Sequence, residues 1–79
     1  MTSSAALPTP SFGALLRQLR RRAGLTQGEL AIRVGYSVAQ ISRLEQNERL
    51  PTVAAVAEVF VPALELHAEP QVAHRLKTS

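Results

Sequence analysis

Between Ser11 and Gln46 the apolar positions recur at three- and four-residue intervals, in three blocks separated by glycine. That is the period of helices that bury one face. In the first block Phe12, Leu15, Leu16, Leu19 and Ala23 share a face, while Arg17, Gln18, Arg21 and Arg22 fall elsewhere. Ser11 can cap this helix, which is expected to run to about Ala23 and to stop at Gly24. The second block, about Gln27 to Val34, turns Leu30, Ala31 and Val34 inward, and small Ala31 lets a neighbouring helix come close. The third, about Val38 to Gln46, buries Ile41 and Leu44. Ala39, Ser42, Arg43 and Gln46 lie on its opposite side, with Val38 and Gln40 at the borders.

Two capping signals sharpen the second and third helices. Thr26 is followed three residues later by Glu29, and Ser37 by Gln40. In each pair the hydroxyl accepts a free backbone amide, and the longer side chain reaches back to the amide of the capping residue. Gly35 lies between them and can end the second helix in the left-handed conformation without steric cost. Two short helices meeting at a sharp corner are therefore expected. Such a corner allows one helix to lie across a nucleic-acid backbone while its successor enters the major groove, which is about one helix wide.

Phase is lost in TVAAVAEVFVPALEL, residues 52–66. Val53, Val56, Ala57 and Phe60 form a helical stripe, but Ala54, Ala55, Val59 and Val61 make the segment apolar nearly all round. Its β-branched residues also suit a strand. With Thr52 as a cap and no second strand to pair with, a helix is expected, and Pro62 fits the first turn of a short fifth helix. The all-round apolar character leaves two readings open, deep burial or an oligomer contact. Residues 1–10 are small, polar and proline-bearing, which predicts a flexible tail. In the closing HAEPQVAHRLKTS, Pro70 acts as a breaker before a weak final turn. The expected organisation is a tail (1–10), an all-α bundle of five short helices (11–67), and a C-terminal tail or weak helix (68–79).

Composition narrows the function classes. A chain of 79 residues makes one small domain. It has no cysteine for disulfides or thiolate metal sites and no apolar run of the roughly 18 residues that span a membrane. A soluble, cytoplasmic protein is expected. His67 and His74 have no acidic or cysteine companion at ligand spacing, so neither metal nor cofactor is expected. No nucleophile-and-base set or glycine-rich phosphate loop stands out, which argues against an enzyme. The net charge of +3 is uneven: residues 1–34 hold five arginines against Glu29, whereas residues 35–79 hold four bases against five acids. A basic first half favours a polyanionic partner.

The run LRQLRRRAGLTQGELAIRVGYSVAQISRLEQNERLP, residues 16–51, resembles the lambda-repressor-like helix-turn-helix domain of the Cro/CI or XRE family. The resemblance extends from Phe12 to about Leu66. It is carried by the LTQ-x-x-LA opening, the glycine at the turn, the serine before the third helix, I-S-x-L-E inside it and the proline after the loop. It implies a sequence-selective regulator of transcription that binds double-stranded DNA, with the recognition helix at about 38–46 in the major groove and a homodimer on a two-fold site.

Carried over by position, the resemblance assigns base contacts to Val38, Ala39, Gln40 and Arg43. Arg43 suits guanine and Gln40 adenine by paired hydrogen bonds, whereas Val38 and Ala39 offer apolar contact to thymine methyls. Backbone contacts fall to Arg17, Arg21, Arg22, Gln27, Ser37, Ser42, Gln46, Asn47 and Arg49. Ser37 is equally suited to serve only as a cap, and Asn47 stands where the family usually has a left-handed glycine. Arg20 and Glu45 are implied to form a partly buried structural ion pair. The alternative is a protein-interaction module on the same fold, an antitoxin or adaptor with a protein partner, or a reader domain cut from a larger regulator.

Overall fold

The structure is a computed structural model that describes residues 11–78; the expected N-terminal tail at 1–10 lies outside the described residues. The described chain is helical without strands. Helix α1 spans Phe12–Arg22, α2 spans Gln27–Val34 and α3 spans Val38–Glu45. Helix α4 runs over residues 53–63, and after a 3₁₀ turn at Leu66–Ala68 the chain ends in α5, Pro70–Thr78.

Local chemistry explains each boundary in the first half. Ser11 Oγ accepts the N–H of Ala14 at 3.2 Å and opens α1. The helix ends at Arg22, so Ala23 is an exposed C-cap rather than part of the buried face as its spacing predicted. Gly24 then turns the chain at φ +74°. Both expected capping boxes are formed, and Gly35 closes α2 at φ 76°, ψ 26°. Among the described residues, positive φ also occurs at Asn47 (61°) and Glu65 (56°), at the exits of α3 and α4.

The second half departs from the sequence reading in two places. Pro62 does not open a new helix. Residues 53–63 are one continuous helix with α turns at Val53–Ala55 and Val61–Ala63 and a π segment, Val56–Phe60, between them. A proline in an α-helix lacks the N–H for the carbonyl four residues back, and its ring crowds that carbonyl. Here the bonding widens just before Pro62, with Val61 N–H bonded to Val56 O, and the helix continues past it. The closing segment is more than a weak turn. Pro70 takes the first position of α5, where a missing N–H costs nothing, and Ala73 and Leu76 are buried.

The core is shared by every helix. Leu16, Leu30, Ile41 and Phe60 are fully buried, joined by Leu66 and Leu76 from the C-terminal end. Phe60 is flanked edge-on by Phe12, with centroids 6.3 Å apart, and by Tyr36 at 5.7 Å. The apolar segment after Pro51 is thus divided: Val56, Phe60, Leu64 and Leu66 are buried, while Val53 stays 60% exposed.

Candidate nucleic-acid interface

The corner between α2 and α3 is set by its caps. Thr26 Oγ accepts Glu29 N–H at 3.0 Å, and Glu29 Oε1 accepts Thr26 N–H at 2.8 Å. Hydrogen bonds from the backbone and then the side chain of Thr26 hold the Glu29 carboxyl below its ordinary range. Ser37 Oγ accepts Gln40 N–H at 3.1 Å, and Gln40 Oε1 accepts Ser37 N–H at 2.7 Å. Between the boxes, Tyr36 N–H bonds to Ala31 O at 2.9 Å, so the turn leaves little backbone freedom.

One carboxylate fixes the angle between the first three helices. The Glu45 side chain is wholly buried at the end of α3. It accepts from Arg20 Nε (2.5 Å) and Nη2 (3.0 Å) on α1, from Gln27 Nε2 (3.1 Å) on α2, and from Arg17 Nε (3.3 Å). Arg20 also donates to Leu25 O at 2.9 Å. Burial by itself pushes the Glu45 carboxyl up, but the hydrogen bonds from Arg20 and Gln27, with the nearby guanidinium charges, outweigh it and hold the group below its ordinary value. The hydrogen bond to Glu45 raises Arg20 in turn, against the opposing effect of burial.

With its inner side anchored, α3 turns the opposite face outward. Val38 is half exposed, and Ala39, Gln40 and Arg43 are exposed. A groove of about 430 Å³ runs beside them, and Gln40, Arg43, Arg49, Leu50 and Thr52 are among its lining.

Residues 11–76 match the sequence profile of a helix-turn-helix domain. The chain belongs to that family. It is also 43% identical over 47 residues to a protein of Sinorhizobium fredii (strain NBRC 101917 / NGR234) named "Uncharacterized HTH-type transcriptional regulator y4dJ". The aligned stretch is 60% of this chain and 61% of that relative, so the chain spans about three fifths of the relative's length. No solved structure matches the chain.

The other expected contact residues of this helix-turn-helix domain divide by what they already hold. The side chains of Arg21, Arg43 and Arg49 have no ion-pair or hydrogen-bond partner among the described residues. Arg22, by contrast, pairs with Glu69 at 2.6 Å, and Arg17 leans on Glu45 while remaining 44% exposed. Gln27 braces Glu45 and keeps one amide hydrogen for another acceptor. The Ser37 hydroxyl is occupied as a cap, and Ser42 Oγ accepts Gln46 Nε2 at 3.1 Å.

Asn47 is bound inward on both sides of its amide. Its Oδ1 accepts Gly13 N–H at 2.9 Å, and its Nδ2 donates to Ser11 Oγ at 2.9 Å. Gly13 itself was missed in the sequence. A Cβ there would collide with the backbone carbonyls of Glu45 and of Leu44, the latter at 2.7 Å. The available signal was a glycine in the first turn of a helix, which costs about 1 kcal/mol relative to alanine and so points to a close approach. Arg33 was also missed. It donates to Ala63 O at 3.1 Å and closes the end of α4.

Proposed function

We propose that this chain is the DNA-binding domain of a transcriptional regulator, sequence-selective for double-stranded DNA, with α3 in the major groove and α2 across the backbone. One observation carries the reading: α3 is held from behind by the buried Glu45 hub, while Val38, Ala39, Gln40 and Arg43 face outward with Arg49 alongside. A groove-reading helix needs such a rigid mount, because base contacts discriminate only when their donors are fixed in place. Arg21, Arg49 and the solvent side of Arg17 supply positive charge for phosphates, and Gln27 adds a hydrogen bond where α2 meets the backbone. Membership of the helix-turn-helix family and the likeness to a protein named as a transcriptional regulator support the same reading.

In this reading the domain binds a two-fold operator as a homodimer in the cytoplasm, and the position of the operator decides the effect on transcription. The test is selection of bound duplexes from a random library at moderate salt. An enriched palindrome with half-sites about one helical turn apart is the expected result. No enrichment from a folded protein would sink the proposal.

A second reading, a protein-interaction module, is favoured by a different observation. Ile32, Leu50 and Val53 are 83%, 68% and 60% exposed, apolar surface that a protein partner would cover. Failure of the selection, together with loss of a captured protein on Ile32→Lys or Val53→Lys, would favour it.

A further inference from the structure

We infer that Gln40 specifies guanine, rather than the adenine its residue type first indicates; the inference rests on the DNA-binding reading above. The reason is the direction in which its amide oxygen is held. Gln40 Oε1 accepts Ser37 N–H at 2.7 Å while Gln40 N–H donates to Ser37 Oγ at 3.1 Å. This box closes the N-terminus of a helix only eight residues long, so giving it up would loosen the element that carries the readout.

An amide is planar, with its oxygen and nitrogen directed apart. When Oε1 points back at the helix start, the NH₂ group points away from it, and the exposed end of Gln40 presents hydrogens. Adenine requires a donor to N7 and an acceptor for its N6 amino group at once. Gln40 inside its box directs the NH₂ group outward and holds the oxygen toward the Ser37 amide, so the donor faces the base and the acceptor is turned away from it. Guanine presents N7 and O6 as adjacent acceptors, and an NH₂ group placed between them donates to either without needing an acceptor of its own.

The neighbouring groups carry the same bias. Arg43 lies three residues on, exposed and without a partner among the described residues, and a guanidinium has no acceptor. Val38 and Ala39 present methyl groups. The Ser42 oxygen already accepts Gln46 Nε2, and its hydroxyl keeps a hydrogen to donate. From residue 38 to 43 the outward face of α3 therefore offers donors and methyls, a surface suited to guanine and to thymine O4 and its methyl.

The test compares duplexes selected by the unaltered chain, by Gln40→Glu and by Gln40→Leu, with a thermal melt of each. Glutamate keeps an oxygen for the Ser37 amide but replaces the NH₂ group with a second oxygen; leucine removes both. The unaltered chain is expected to enrich guanine at one position per half-site, and that preference is expected to vanish in both variants. Exchanging this guanine for adenine should weaken the unaltered chain about tenfold. Gln40→Glu should melt no lower than the unaltered chain, and Gln40→Leu should melt lower. Adenine at the position these variants alter, or no altered position, would overturn the inference. Should Gln40→Glu fail to fold, Gln40→Leu still decides which base loses its preference. A selection without any enriched site sinks the DNA-binding reading itself, whereas a clear motif with adenine sinks only the role of Gln40.

Discussion

The side-chain carbonyl of Asn47, just past the end of α3, accepts the backbone N–H of Gly13 in the first turn of α1 at 2.9 Å, across 34 positions of sequence. The same amide donates to Ser11 Oγ, which itself caps Ala14. The start of α1 and the end of α3 are therefore capped as one unit. The Gly13 Cα lies so near the carbonyls of Leu44 and Glu45 that a methyl group has no room.

This contact makes Gly13→Ala destabilising, although alanine is the better helix former. Overpacking against backbone costs about 1–3 kcal/mol, and the gain in helix propensity is about 1 kcal/mol at most. Asn47→Gly keeps the left-handed backbone and loses two hydrogen bonds, at about 1 kcal/mol each. Asn47→Ala adds left-handed strain of about 1–2 kcal/mol to that loss. Urea midpoints should thus fall further for Asn47→Ala than for Asn47→Gly; equal midpoints would mean that the positive φ at this position is relaxed by the variant.

Glu45 predicts the acid limb of stability. Its carboxyl is held below its ordinary value in the folded state, so it binds a proton less readily there than in the unfolded chain. Its contribution is complete above the unfolded value of about 4.3 and is lost as pH falls through the lower folded value. Thermal melts between pH 2 and 7 should show this loss. In Glu45→Gln, whose side chain does not titrate, the slope should be shallower and the stability at pH 7 reduced. Removing the carboxylate altogether, as Glu45→Ala, strands the buried Arg20 and should cost about 3–5 kcal/mol. A Glu45→Gln profile parallel to that of the unaltered chain would assign the acid limb to other carboxylates.

The elements legible in the sequence were those whose causes are local. Thr26 and Ser37 announce helix starts through Glu29 and Gln40 three positions on, Ser11 does so by its residue type, and Gly35 announces the corner, so α1 to α3 followed from short-range chemistry. The outward placement of Val38, Ala39, Gln40 and Arg43 follows from the phase set by Ile41 and Leu44. Residues 53–63 were harder because an all-round apolar pattern carries no phase, and the π segment before Pro62 has no signature in residue type. The pairing of Arg22 was hidden because its partner, Glu69, lies 47 positions away beside a segment that reads as a tail. The inward turn of Asn47 depends on Gly13 in the same way.

Arg43 faces solvent on α3 with no partner among the described residues, so its removal should leave the fold intact and act on binding alone. Arg43→Ala is expected to weaken binding to the selected site more than to random duplex, by about 1–3 kcal/mol of discrimination. Titration of both duplexes at one salt concentration measures the difference. Equal losses on the two would make Arg43 a phosphate contact.

Salt dependence separates the proposed phosphate contacts from the proposed readout. Arg21 and Arg49 have no partner among the described residues, Arg17 is 44% exposed, and Gln27 keeps a free amide hydrogen, whereas Arg22 is engaged by Glu69. If Arg17, Arg21 and Arg49 each neutralise one phosphate, the log–log slope of affinity against salt is about −2.7 per monomer. Arg21→Ala and Arg49→Ala should each reduce its magnitude by about 0.9 and weaken specific and random duplexes alike. Arg22→Ala should change it least, because that guanidinium would first have to leave its carboxylate. An affinity independent of salt would remove the electrostatic part of the proposed binding mode, and a full loss of slope at Arg22 would mean that the Glu69 pair opens when DNA binds.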